Sequence, residues 1–168
     1  VENDRGDWVA RAENLIAEID PEMTWLLYAA NDEILKNTPQ ISTADLWPEF
    51  PPSNVMTLSP VWTDLGITYF DQFFEFIRDS GVRGDWLDTA EEKFKKGYAK
   101  RRIKLWEDYA NTVLKGNDQL ITRSAALGNV IELASARRSP YRNALRLIGA
   151  GNKDSYFPDN RPDWLELA

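Results

Sequence analysis

The chain has 168 residues, a net charge of −7, and neither cysteine nor histidine. That length supports one domain with a real core. The two missing residue types exclude disulfides, thiolate or imidazole metal sites, iron–sulfur clusters, cysteine nucleophiles and Ser-His-Asp triads.

Helical periodicity runs through most of the sequence. Asp7 is expected to cap a first helix over Trp8 to about Ile19. Asp20-Pro21 opens a second, with Pro suited to a first helical turn and Glu22 to the positive end of the helix dipole. That helix carries Trp25, Leu26, Tyr28, Ala29, Ile34 and Leu35, and Met23 and Met56 read as core filler. From Asn37 to Pro60 the chain is a long Pro-rich connection. Its apolar residues, above all Trp47 and Phe50, are expected to pack across a surface, either the protein's own or a partner's. A short hairpin within 40–58 is compatible with this stretch, and no segment alternates for long enough to require a sheet.

Ser59-Pro60 opens a third helix, on which Trp62, Leu65, Tyr69, Phe73 and Phe76 form one stripe, widened by Phe70 and Phe74. It is expected to be the central core helix. Asp85 caps the longest helix, Trp86 to about Leu114, with a buried stripe of Leu87, Ala90, Phe94, Tyr98, Trp106, Tyr109 and Val113. Gly97 is a candidate kink. A helix over about 119–136 follows, then a short one from Ser139-Pro140 to near Ile148, and a polar tail. The expected fold is a single all-α domain over 1–168, a bundle of about six helices with a long crossover. No apolar run approaches the roughly 18 residues of a transmembrane helix, and no signal peptide is expected.

Arg5-Gly6-Asp7-Trp8, Arg83-Gly84-Asp85-Trp86 and Arg161-Pro162-Asp163-Trp164 recur at intervals of 78 residues. Trp25, Tyr28 and Ala29 echo Trp106, Tyr109 and Ala110. A duplication over 5–82 and 83–160 would make stacked helical units with an interaction role.

The charge is divided. Residues 1–80 hold four basic and 15 acidic side chains, and residues 81–168 hold 16 and 12. The partner- or polyanion-binding candidates are Lys93, Lys96, Lys100, Arg101, Lys104, Arg137, Arg138 and Arg142, with Phe94, Tyr98 and Tyr141 interleaved. Three readings fit this cluster: a face neutralised by the chain's own acidic half, head-to-tail contact between copies, or polyanion binding with rings stacked on bases. The acidic pI of about 4.7 weighs against the last. No phosphate-binding loop or calcium loop is present and spacing alone does not define a convergent carboxylate pair, so no catalytic residue, metal site or cofactor is assigned. The expected role is a non-enzymatic structural or assembly subunit, packing on copies of itself or in a larger complex such as a virion or multiprotein machine. The alternatives are a nucleic-acid-associated helical protein and, third, an apolar-ligand carrier with a deep pocket lined by Trp62, Phe70, Phe74 and Trp106.

Overall fold

A computed structural model describes residues 7, 8, 10, 11, 20, 22–47, 54–81, 84–115 and 139–151. They form α1 (Thr24–Leu35), β1 (Ile41–Ser42), a 3₁₀ turn (Thr43–Leu46), β2 (Thr57–Leu58), a second 3₁₀ turn (Pro60–Trp62), α2 (Asp64–Asp79), α3 (Asp85–Lys115) and α4 (Pro140–Gly151). The all-α class holds. The described residues contain four α-helices rather than six. Of the other two expected segments, 119–136 lies outside the described residues, and the first is represented only by helical Asp7, Trp8, Ala10 and Arg11.

Local chemistry sets the boundaries. Met23 precedes α1 with φ 49°, in the left-handed region, and offers no side-chain cap. Asp20 caps from a distance, its Oδ2 accepting from Thr24 Oγ1 at 2.6 Å and from the Trp25 amide at 3.1 Å. The left-handed Met23 costs about 1–3 kcal/mol, offset by a side chain only 1% exposed. Ser59 caps the second 3₁₀ turn and Thr63 caps α2, each accepting from the amide two residues on at 3.3 Å. The crossover closes as a two-stranded antiparallel pair, Ile41 opposite Leu58 and Ser42 opposite Thr57.

The 31 residues of α3 make a rod of about 46 Å, longer than one small core needs, and it serves two. The proximal core holds Met23 just before α1, Leu26 and Ala30 of α1, Ile67, Phe70 and Phe74 of α2, and Leu87, Ala90, Phe94 and Tyr98 of α3. Ion pairs Asp71–Lys95, Asp64–Arg102 and Arg78–Asp88 show α2 running antiparallel to α3. The distal core sets Trp106, Tyr109 and Val113 of α3 against Leu46, Trp47, Leu58 and, from α4, Ala144 and Ile148. The expected α3 stripe is buried along its whole length, and the helix runs unbroken through Gly97.

Between the cores, residues 61–64 clasp α3. The Trp62 carbonyl accepts from Arg102 Nε at 3.1 Å and Trp106 Nε1 at 2.9 Å. The Tyr98 hydroxyl donates to the Val61 carbonyl at 2.7 Å, and Arg102 donates to Asp64 at 2.9 Å.

The third helix departs from its expected phase. Residues 60–62 form a 3₁₀ turn, so the α-helix begins at Asp64 and Trp62 lies outside it. Its buried residues are Gly66, Ile67, Phe70 and Phe74. Of the 65, 69, 73, 76 stripe expected in the core, Leu65 and Phe76 are exposed, and Tyr69 and Phe73 are half-buried against its edge.

Candidate interaction surface

Of the cations on α3, Arg102 is interior, 1% exposed and bonded to Trp62 and Asp64. Its place in the cluster is structural. Lys95 bridges Asp71 at 2.9 Å and Glu91 at 2.7 Å. Partial burial works against its charge, but the hydrogen bonds to those carboxylates outweigh burial and hold its pKa above the usual lysine value. Lys104 pairs with Asp108 at 2.9 Å and Glu107 at 3.5 Å, and the Asp108 hydrogen bond leads in raising its pKa. Arg101 pairs with Glu22 across the α1–α3 boundary. Lys96 lies 3.9 Å from Glu92, both widely exposed. Lys93 and Lys100 are exposed and form no ion pair among the described residues.

The charge division is therefore answered in part within the chain, because Glu22, Asp64 and Asp71 of the acidic half each hold a cation of α3. The exposed pairs contribute at most about 1 kcal/mol each. Arg142 is exposed near the start of α4, its amide donating to Ser139 Oγ at 3.4 Å. Arg137 and Arg138 lie outside the described residues, as does Phe50. Trp47 packs on the chain itself: it is 1% exposed, its Nε1 donates to the Val113 carbonyl at 3.2 Å, and its ring meets Tyr141 edge-on at 5.7 Å. Phe94 and Tyr98 face inward against Phe70, with ring centroids 4.8 and 5.0 Å away, so they offer no platform for stacking bases. Phe70 and Phe74 sit in the proximal core and Trp106 in the distal one; the four rings named for a carrier do not surround one cavity.

Two features emerge that sequence periodicity did not single out. The first is an outward aromatic patch. Trp25 of α1 meets Phe73 of α2 edge-on at 5.6 Å. Tyr28 and Phe76, each three residues further along its helix and so on the same face, are 71% and 67% exposed. Asp32 stands one turn beyond Tyr28, and Glu75 and Asp79 flank Phe76; all three are solvent-facing or at the rim and unpaired among the described residues. The signal in the sequence was that α2 is apolar on two sides, one more than a core needs.

The second feature is a small surface cleft of about 20 Å³, between the start of α1 and the middle of α3. Its lining comes from Lys93, Gly97, Tyr98 and Arg101 of α3, from Thr24 and Leu27 of α1, and from Glu22 and Trp62. Trp62 and Tyr98 are stacked, 5.3 Å apart. A β-carbon on Gly97 would meet no atom within 4 Å.

The residues matched in the suggested duplication occupy opposite environments: Trp25 and Tyr28 are exposed, whereas Trp106 and Tyr109 are fully buried. Among the described residues no helix is long and apolar enough to cross a membrane, and no group of acidic side chains is placed to hold a metal ion. Comparison with known proteins returns no relative: no family model matches the chain, and neither does any curated protein or solved structure.

Proposed function

We propose that this protein is a non-enzymatic assembly subunit that binds further copies of itself through the α1–α2 aromatic patch. The observation that carries this reading is the exposure of Tyr28 and Phe76 beside Trp25 and Phe73. Contiguous exposed aromatics are costly in a protein that stays alone and are common at the centre of interfaces. The patch has an acidic rim, while Lys93, Lys96 and Lys100 make a basic ridge on α3 of the same chain. A second copy therefore brings the complementary surface, and lysines set over exposed rings add cation–π attraction to the ion pairs. The polyanion reading keeps those ammonium groups but loses Phe94 and Tyr98 for stacking, because both lie in the core.

Light scattering on a sizing column tests the proposal at low salt and at about 0.5 M salt, where exposed charges are strongly screened. The expected result is a species of several times 19.3 kDa that loses mass as salt rises. A monomer at every concentration and salt would overturn the assembly role. Retention on a random oligonucleotide, with no self-association, would favour the polyanion reading instead.

A further inference from the structure

We infer that copies of this chain stack front to back into an open filament, the acidic-rimmed patch of one on the lysine ridge of the next, an inference that rests on the assembly reading above. Where the two surfaces lie decides the geometry. On α3, Phe94 and Tyr98 turn inward beneath α1 and α2. Lys96 falls midway between them, and residues two apart on a helix point about 200° apart, so Lys96 faces away from that cover. Lys93 and Lys100 share its side, and all three are exposed. On α2 the core takes Ile67, Phe70 and Phe74. Asp79 lies about two and a half turns beyond Phe70 and faces directly away from it, with Glu75 one turn before it, both exposed. The rim and the ridge therefore occupy opposite faces of a two-layer unit, with α1 and α2 in front and α3 behind.

Charge then selects how copies meet. Two patches face to face would set Asp32, Glu75 and Asp79 against their own counterparts, and two ridges would set lysine against lysine; both arrangements repel. A patch on a ridge sets Glu75 and Asp79 against Lys96 and Lys100, each pair one turn apart, a separation of about 5–6 Å. Glu75, Asp79 and Lys100 form no ion pair among the described residues, and Lys96 makes only its 3.9 Å approach to Glu92. The lysine stems can lie along Tyr28 and Phe76 while their ammonium groups reach the carboxylates. Ile103 stands on the same side of α3 as Lys96, two turns on, and joins neither core among the described residues, so it adds apolar area to the ridge. Each added copy again presents a free patch in front and a free ridge behind. Because the faces are opposed rather than inclined, repetition extends a filament instead of closing a small ring. Two helix layers, each about 10 Å deep, give a repeat of about 20 Å.

The test reads mass by light scattering, over a concentration series, for full-length proteins: the unsubstituted chain, K96E/K100E, E75K/D79K, and a chain carrying all four changes. The four positions are exposed, and circular dichroism checks that the fold is kept. The unsubstituted chain is expected to gain mass steadily with concentration, and each reversal alone to need at least about tenfold higher concentration. Mixed in equal amounts, the two reversed proteins should assemble again, because the rim of each then meets a ridge of opposite charge. The chain with all four changes should recover by itself. Electron micrographs of the unsubstituted chain should show filaments with the repeat of about 20 Å. If K96E/K100E associates like the unsubstituted chain, the ridge is not the receptor, although the assembly role stands. If the reversed proteins stay apart when mixed, the pairing of rim with ridge is overturned. A mass that levels off at a fixed number of copies overturns open growth. An unsubstituted chain that never associates removes both readings. Should a reversal unfold, K96Q/K100Q replaces it: weakened association supports the contact, and unchanged association overturns it.

Discussion

The two cores share one helix and are built differently. In the proximal core, α1 and α2 cover α3, and the rings between them are Phe70, Phe74 and Phe94, with Tyr98 beside them donating its hydroxyl to the Val61 carbonyl of the 3₁₀ turn. In the distal core α4 shares the cover with irregular chain, the first 3₁₀ turn, Trp47 and β2. There the rings are Trp47, Trp106 and Tyr109, and each spends its polar tip on a backbone carbonyl: Val113, Trp62 and Ser42 respectively. The difference has a physical cause. The interior of a covering helix satisfies its own backbone and asks only for apolar volume, whereas a hairpin, a 3₁₀ turn or the last turn of a helix leaves carbonyls that need donors. Phe suffices for the first task, and Trp or Tyr is required for the second.

The largest expected effect comes from breaking the joint between the cores. A β-carbon on Gly66 would lie 1.8 Å from the Val61 carbonyl oxygen and 2.8 Å from its carbon. These are backbone atoms of the clasp and cannot step aside as a flexible side chain would. Gly66→Ala is expected to cost at least about 4 kcal/mol, and both cores should be lost in one transition, read as coincident denaturant curves by circular dichroism and Trp fluorescence. A cost below about 1 kcal/mol, or curves that separate, would mean that the cores do not depend on the clasp.

The contrast also explains what the sequence made legible. The α3 stripe from Leu87 to Val113 could be read from spacing because one regular helix carries it, and the ends of α3 and the start of α4 followed from Asp85 and Ser139-Pro140. The face of α2 could not. It has apolar residues at 65, 69, 73 and 76 and again at 67, 70 and 74, so spacing alone does not choose the buried side, and the 3₁₀ turn at 60–62 shifts the phase. Trp47 was recognised as a packing residue, but only the fold shows that it packs on α3 of its own chain. Arg102 was hidden among exposed cations because charge clustering carries no information about which member turns inward. The basic ridge could be read, whereas the patch and the cleft depend on which surfaces the tertiary fold leaves uncovered.

Arg102→Ala is the next largest effect and sharpens the same joint. The guanidinium is buried and bonds to both Trp62 and Asp64. Breaking a buried pair costs roughly 3–5 kcal/mol. Asp64 is 40% exposed and can rehydrate, which places the expected loss at about 3 kcal/mol. Arg102→Lys should recover little of it, because an ammonium cannot reproduce the planar fork that reaches both acceptors. Urea midpoints give the loss, and amide hydrogen exchange shows where it falls. Equal loss of protection in α1 and α4 marks Arg102 as common to both cores, and loss confined to one assigns it there.

The smallest effect is a difference in alkaline sensitivity, with one tyrosine reporting on each core. Burial pushes Tyr109 up to about 12, with Asp45 adding to the shift. Burial also raises Tyr98, and further still; the Asp64 charge adds to the shift while Arg102 opposes it. An unfolded tyrosine ionises near pH 10, so above that pH the unfolded chain releases protons that the folded chain retains. Stability is full below about pH 10 and falls as pH rises through the folded values, by about 1.4 kcal/mol per pH unit for each such phenol. Each Tyr→Phe variant should lose about 1 kcal/mol at neutral pH with its hydrogen bond. Tyr98→Phe should lose more, since its contact is 2.7 Å against 3.3 Å for Tyr109. Between pH 10 and 12 each variant should also show a shallower decline in urea midpoint than the unsubstituted chain, by one proton's worth. A slope unchanged by Tyr98→Phe would mean that its phenol ionises in place, and that the proximal core admits water at the Val61 carbonyl.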